Sequence, residues 1–107
     1  MINSKLRILI GAILLSSSLI AQQTATYTND LVEYQKALTL YNNSQYLAAQ
    51  SLFDAVEDQT NDENLKGDCA YYIANCAVRL NQRNADEMVL EFVEEYPTST
   101  KTNTAFL

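Results

Sequence analysis

Two cysteines, thirteen carboxylates and seven tyrosines carry most of the chemistry available to this chain, which has no histidine. Cys69 and Cys76 are seven residues apart. On one helix that spacing separates their Cα atoms by about 10 Å, beyond the roughly 7 Å that a disulfide tolerates. The pair has neither the CxxC spacing nor the histidine of a zinc site, so the two thiols are expected to be buried and to pack like small hydrophobes. Neither has a base beside it in sequence to activate it as a nucleophile. Acidic neighbours such as Glu94 and Glu95 point in different directions on a helix, and no glycine-rich phosphate loop is present. We therefore expect no catalytic residue, no metal, no cofactor, and no enzyme in these residues.

The elements that position these side chains begin after an address. Residues 1–21 read as a secretory signal peptide, with Lys5 and Arg7 as its positive start, Ile8 to Leu15 as its apolar stretch and Ser16 to Ala21 as its small-residue exit. The alternative is an uncleaved anchor, but Ile8 to Ile20 is thirteen residues, short of the about 20 that span a bilayer. Leu19 leaves the exact cleavage position open. The whole chain has a formal net charge of −6, and cleavage after Ala21 leaves five basic side chains against thirteen acidic ones, a net charge of −8. Such a surface repels nucleic acid and anionic lipid and favours a basic or neutral protein partner.

Two glycines and one proline in 107 residues argue for helices. Residues 22–29 are polar and threonine-rich, a flexible linker. From Asp30, an expected N-cap, Leu31, Tyr34, Leu38 and Tyr41 form one apolar stripe. Asn42-Asn43-Ser44 breaks that helix, with Asn43 or Ser44 expected to cap the next. Ala49, Leu52, Phe53 and Val56 then have the spacing of an amphipathic helix face. Glu57 and Asp58 sit where the helix dipole disfavours acids. Thr60 and Glu63 have capping-box spacing. The third helix is expected to bury Leu65, Cys69, Tyr72, Cys76 and Leu80, with Gly67 permitting a close helix crossing. The fourth carries Ala85, Met88, Val89, Phe92, Val93 and Tyr96, and Pro97 ends it. The acids Asp86, Glu87, Glu91, Glu94 and Glu95 are its solvated face, or a dock for a basic partner. The expectation is an all-α fold of two antiparallel helical hairpins, 30–60 and 61–97, with its core on Ala49, Phe53, Val89 and Phe92. Residues 98–107 read as the start of a truncated third unit.

The hairpins overlay at an interval of 36 residues, which takes Ala49 to Ala85, Leu52 to Met88, Phe53 to Val89, Val56 to Phe92 and Leu40 to Cys76. Helix–turn–helix units of about 34 residues mark tetratricopeptide repeats, and Ala37, Leu40, Tyr46, Ala49 and Phe53 resemble that family's motif. Ala85 and Pro97 fit its small residue and closing proline. Asn61 departs from the closing proline of the first unit, and Gln82 from the aromatic at Tyr46. The stretches Cys69 to Ala77 and Glu95 to Ser99 resemble the exported bacterial envelope type. The resemblance implies a periplasmic or cell-envelope scaffold that binds a protein or peptide, with no membrane insertion after signal cleavage. It also implies a concave groove lined by the first helix of each hairpin: Tyr34, Leu38, Tyr41 and Asn42, then Ala70, Ala74 and Ala77. Packing of these side chains between helices is the competing reading. Two other functions remain: a small self-contained exported helical protein that is structural or dimerises by hydrophobic stacking, and a repeat domain tethering a downstream enzyme.

Overall fold

The computed structural model describes residues 29–102, which form helices and no strand, an all-α arrangement. Four helices follow one another: α1 over 29–42, α2 Tyr46–Gln59, α3 Glu63–Arg79 and α4 Ala85–Glu95. Residues 1–28, which hold the segment read as a signal peptide and nearly all of the expected linker, and residues 103–107 lie outside the described residues. Among those described, no helix is long and apolar enough to cross a membrane.

Neighbouring helices run antiparallel. Tyr41 meets Tyr46 at the turn, and Tyr34 meets Phe53 further from it, with ring centroids 5.4 and 5.7 Å apart. Likewise Tyr71 lies against Phe92 while Gly67 lies against Tyr96. The central helix is α3, which packs on α2 and on α4. One continuous core joins Ala37 of α1, Ala49, Phe53 and Val56 of α2, and Leu65, Cys69, Ile73 and Cys76 of α3. Phe53 is its centre: fully buried, it stacks on Tyr72 at 4.9 Å and receives the edge of Tyr34. The core expected around Val89 and Phe92 is therefore displaced towards α1–α3. Phe92 is buried, but Val89 is only half-buried, because α4 has a neighbour on one side among the described residues.

Two turns connect the hairpins' helices in the same way. At the end of α1, Ser44 adopts a left-handed backbone (φ 61°). Its N–H donates to the Tyr41 carbonyl at 3.0 Å, and the Gln45 N–H donates to the Leu40 carbonyl at 2.9 Å. At the end of α3, Asn81 takes φ 54°, its N–H donates to the Val78 carbonyl at 3.2 Å, and the Gln82 N–H donates to the Ala77 carbonyl at 3.0 Å. Both are Schellman motifs, which satisfy the orphan carbonyls of a helix end. Ser44 thus closes α1 instead of capping α2, whose N-cap position is Gln45, with no side-chain cap bond.

Two other caps differ from expectation. Asn29 and Asp30 are both helical, and Asp30 is buried, so α1 does not begin at Asp30. The capping box of Thr60 and Glu63 does not form. Asp62 caps α3 by accepting the Asn64 N–H at 3.0 Å. Thr60 instead ends α2, its N–H donating to the Val56 carbonyl, while its buried hydroxyl accepts the Asp62 N–H at 3.2 Å. Asn84 occupies the N-cap position of α4, again without a side-chain bond. Pro97 follows the C-cap Tyr96, as its missing N–H requires. Gly67 does permit a close crossing: a Cβ there would meet Tyr96 Cδ1 at 3.1 Å.

Candidate partner-binding surface

The tyrosines of α1 and α3 converge on one face. The Tyr72 ring takes the edge of Tyr41 at 5.1 Å, of Tyr71 at 5.0 Å and of Tyr34 at 6.4 Å. Such edge-to-face pairs suit the ring quadrupoles. Two cations lie on this aromatic network. The Lys101 ammonium sits 5.4 Å from the Tyr71 centroid and 5.3 Å from that of Tyr72, and the Arg79 guanidinium lies 5.7 Å from that of Tyr46. All three distances are in the range of cation–π attraction. Lys101 arrives there because the chain folds back after Pro97. The Ser99 N–H and the Thr102 hydroxyl both donate to the Tyr96 carbonyl, the latter at 2.6 Å, and the Lys101 N–H donates to Ser99 Oγ at 3.2 Å.

The electrostatics keep this face largely uncharged apart from its cations and Asp68. Burial, followed by the Asp68 charge, pushes the Tyr34 phenol up. Burial also pushes Tyr41 up, against the opposing pull of Arg79. Both phenols stay protonated near neutral pH and can donate and accept hydrogen bonds. Burial raises the Asp68 carboxyl, while Lys101 pulls it down. The face offers ring stacking, phenolic hydrogen bonds and two guanidinium or ammonium groups, which is recognition chemistry.

The expected groove residues divide. Tyr34, Leu38 and Tyr41 are half-buried and Asn42 is exposed. Ala74 and Ala77 are buried, so a partner cannot touch them in this conformation, and Ala70 is half-buried beside α2 and α4. This is a correction of register. Ser44 and Asn81, the equivalent turn residues, are 37 positions apart, whereas the buried Ala49 and Ala85 are 36 apart. From the left-handed residue to the buried alanine of the next helix the second hairpin is one residue shorter, although α4 starts later after its turn than α2 does. An interval of 37 takes Ala37 to Ala74, both buried, and takes Tyr34, Leu38, Tyr41 and Asn42 to Tyr71, Asn75, Val78 and Arg79. These four are half-buried or exposed, and the stripe Tyr71, Asn75, Val78 has the i, i+4, i+7 spacing of one helix face. The shared tyrosine and alanine at 37 were the signal that the 36-residue overlay passed over. Lys101 had no such signal, since only the fold-back after α4 brings it here.

Cys69 and Cys76 are free, fully buried thiols, as their spacing predicts. Burial pushes Cys69 up to about 12 and Cys76 up to about 11, and thiols so raised are poor nucleophiles.

A second concavity lies between α2 and α4, floored by Ala70 and Ile73 of α3 and edged by Met88 and Phe92. Asp54 and Glu57 form one rim, Glu91 and Glu95 the other, around a hollow of about 160 Å³. It continues into a hollow of about 250 Å³ reaching Gln50 and Ser51. There the Gln50 and Gln82 amides pair reciprocally, both bonds 2.9 Å, and Gln50 Nε2 also donates to the Ile73 carbonyl at 3.3 Å. Burial pushes the Glu57 carboxyl up, and the charges of Asp54, Glu95 and Asp58 add to the shift. All five acids of α4 are exposed, as a solvated face requires; Glu91 and Glu95 also line the groove, while Asp86, Glu87 and Glu94 do not.

No protein-family model, no curated protein and no solved structure matches the chain.

Proposed function

We propose that this chain is an exported, non-catalytic scaffold of tetratricopeptide-like repeats that holds a protein partner on the face shared by α1 and α3. The observation that carries this reading is the turn built twice, at Ser44 and at Asn81, with the same left-handed residue and the same pair of hydrogen bonds. Repetition of a helix–turn–helix unit is the basis of architectures that present extended binding surfaces. The buried small residues Ala37 and Ala74, and Ala49 and Ala85, keep the helices of each hairpin close. Tyr34, Tyr41, Tyr71, Asn75 and Val78, with Arg79 and Lys101, then form the recognition surface. Aromatic and arginine side chains of this kind dominate the energetics of protein interfaces. The early basic residues, apolar run and small-residue exit of 1–21 support export.

The test is made in the native cell. Fractionation should find a protein lacking residues 1–21 outside the cytoplasm, and crosslinking there should join it to a defined protein. The exposed pair Asn42→Glu and Arg79→Glu should abolish that adduct while a thermal melt shows the chain still cooperatively folded. A cytoplasmic protein that keeps residues 1–21, or an adduct indifferent to both substitutions, would refute the proposal.

A further inference from the structure

We propose that the groove between α2 and α4 is a second docking site, which takes a lysine- or arginine-bearing segment of another protein. Its floor offers Ala70 and Met88, both half-buried, over Ile73 and Phe92. Its rims carry four carboxylates that face each other across the groove, Asp54 and Glu57 against Glu91 and Glu95. An apolar side chain fits over the floor, and flanking cations reach both rims.

The charge of the rims is uncompensated. Among the described residues the ion pairs are Lys36 with Glu33 and Lys66 with Glu63, and neither involves a rim carboxylate. Lys66 is the one cation close enough to lower Glu57, and it does not overcome the raising effect of burial and three neighbouring acids. Like charges brought together over a partly desolvated floor repel one another, and a bound cation would relieve that repulsion.

A second copy of this chain cannot supply that cation well. Of the five basic side chains in residues 29–102, Lys36 and Lys66 pair with glutamates, and Arg79 and Lys101 lie on tyrosine rings. Arg83 alone is uncommitted, on a turn beside the acids of α4. The occupant is therefore a basic segment of a different protein. This site is rimmed by α2 and α4 and floored by Ala70 and Ile73 of α3, and none of its carboxylates belongs to the aromatic face.

The probe is a fluorescein-labelled amphipathic peptide with a leucine stripe and four lysines, titrated into the mature full chain. Its control has glutamates in place of the lysines. The lysine peptide should bind and the glutamate peptide should not. Binding should weaken as salt rises from 0.05 to 0.5 M and shortens the range of the attraction. The double variant Asp54→Asn, Glu91→Gln should weaken it about fivefold, the scale of two exposed charge pairs. Asp86→Asn with Glu87→Gln, outside the groove, should leave it unchanged, as should Asn42→Glu with Arg79→Glu on the aromatic face. Amide shifts should centre on Ala70 and Ile73. Thermal melts verify that each variant is folded. Equal weakening by the two acid double variants would mean a diffuse charge effect and overturn the proposal. So would no binding, binding of the glutamate peptide, or shifts confined to Tyr34, Tyr41 and Tyr71. Loss of the cellular adduct with retention of peptide binding would separate failure of one site from failure of the other.

Discussion

The two hairpins use the same turn and reach different states of packing. In the first, α1 and α2 close over Phe53, whose ring touches Tyr34 of α1 and Tyr72 of α3, so one side chain ties three helices together. In the second, Phe92 meets Tyr71 of α3 and Tyr96, the C-cap of its own helix, so it ties α4 to one neighbour. Both phenylalanines are buried, at 0% and 2% exposure, and burial alone would rank them equal. What differs is how many elements each one joins. The other difference is one residue between the left-handed turn and the buried alanine of the next helix, which moves every side chain of α3 relative to the 36-residue overlay. A left-handed closing residue fixes the helix end, and the length from there to the next helix is free to vary.

The largest effect should separate the two cores. Phe53→Ala should cost about 3–5 kcal/mol, on the scale of the whole stability of a small domain, and should unfold α1, α2 and α3 together. Phe92→Ala should fall at the low end of that range and, by hydrogen exchange, loosen α4 first. Equal losses with uniform exchange would show that the hairpins form one core and dissolve the contrast.

The α3–α4 crossing gives a smaller effect. Alanine gains about 1 kcal/mol over glycine in a helix interior, but at position 67 the added Cβ would crowd Tyr96 at 3.1 Å. Gly67→Ala should therefore be more favourable in a Tyr96→Ala background than in the native chain, by a coupling of about 0.5–3 kcal/mol. Additive free energies would place the Tyr96 ring elsewhere.

The turns are compared directly by glycine. A left-handed conformation costs an L-residue roughly 1–2 kcal/mol, less for asparagine. Ser44→Gly should stabilise by up to about 1 kcal/mol, and Asn81→Gly by less, as chemical denaturation would read. Destabilisation at either position would mean that its backbone is not left-handed.

The smallest effect is a pH dependence of the acidic groove. Glu57 is raised by burial and by the acids around it, so the folded chain binds its proton more readily than the unfolded chain. The stabilisation is complete below the ordinary carboxylate value and is lost as pH rises through the raised one. The melting point should rise as pH falls from neutral towards 4.5, the ordinary value, and Glu57→Gln should flatten that rise. A melting point that falls over the same interval would contradict it.

Much of the fold was legible because its signals are local and periodic. The apolar stripes, the stop at Pro97, the seven-residue spacing of the cysteines and the crossing at Gly67 each depend on one helix or one contact. Asp30, Ser44 and Thr60 misled because serine, threonine and aspartate serve several helix-end roles. Ser44 closes a helix in a left-handed conformation more usual for glycine, and Thr60 ends one helix while bracing the cap of the next. The second half of the proposed face was misplaced by a single residue for the same reason: no glycine marked where α1 and α3 end. Lys101 and the acidic groove were illegible because they are products of tertiary folding, one from a fold-back after α4, the other from two helices meeting over a third.

The central claim is that α1 and α3 present one continuous face to a partner, in the 37-residue register. A photoreactive phenylalanine analogue placed singly at Asn42, Asn75 or Val78 in the native cell tests it most directly, with Gln59 and Glu87 as exposed positions on the other helices. The account predicts that all three face positions crosslink to the same protein and that neither control does. Adducts at Gln59 and Glu87 with none at Asn42, Asn75 and Val78 would contradict it.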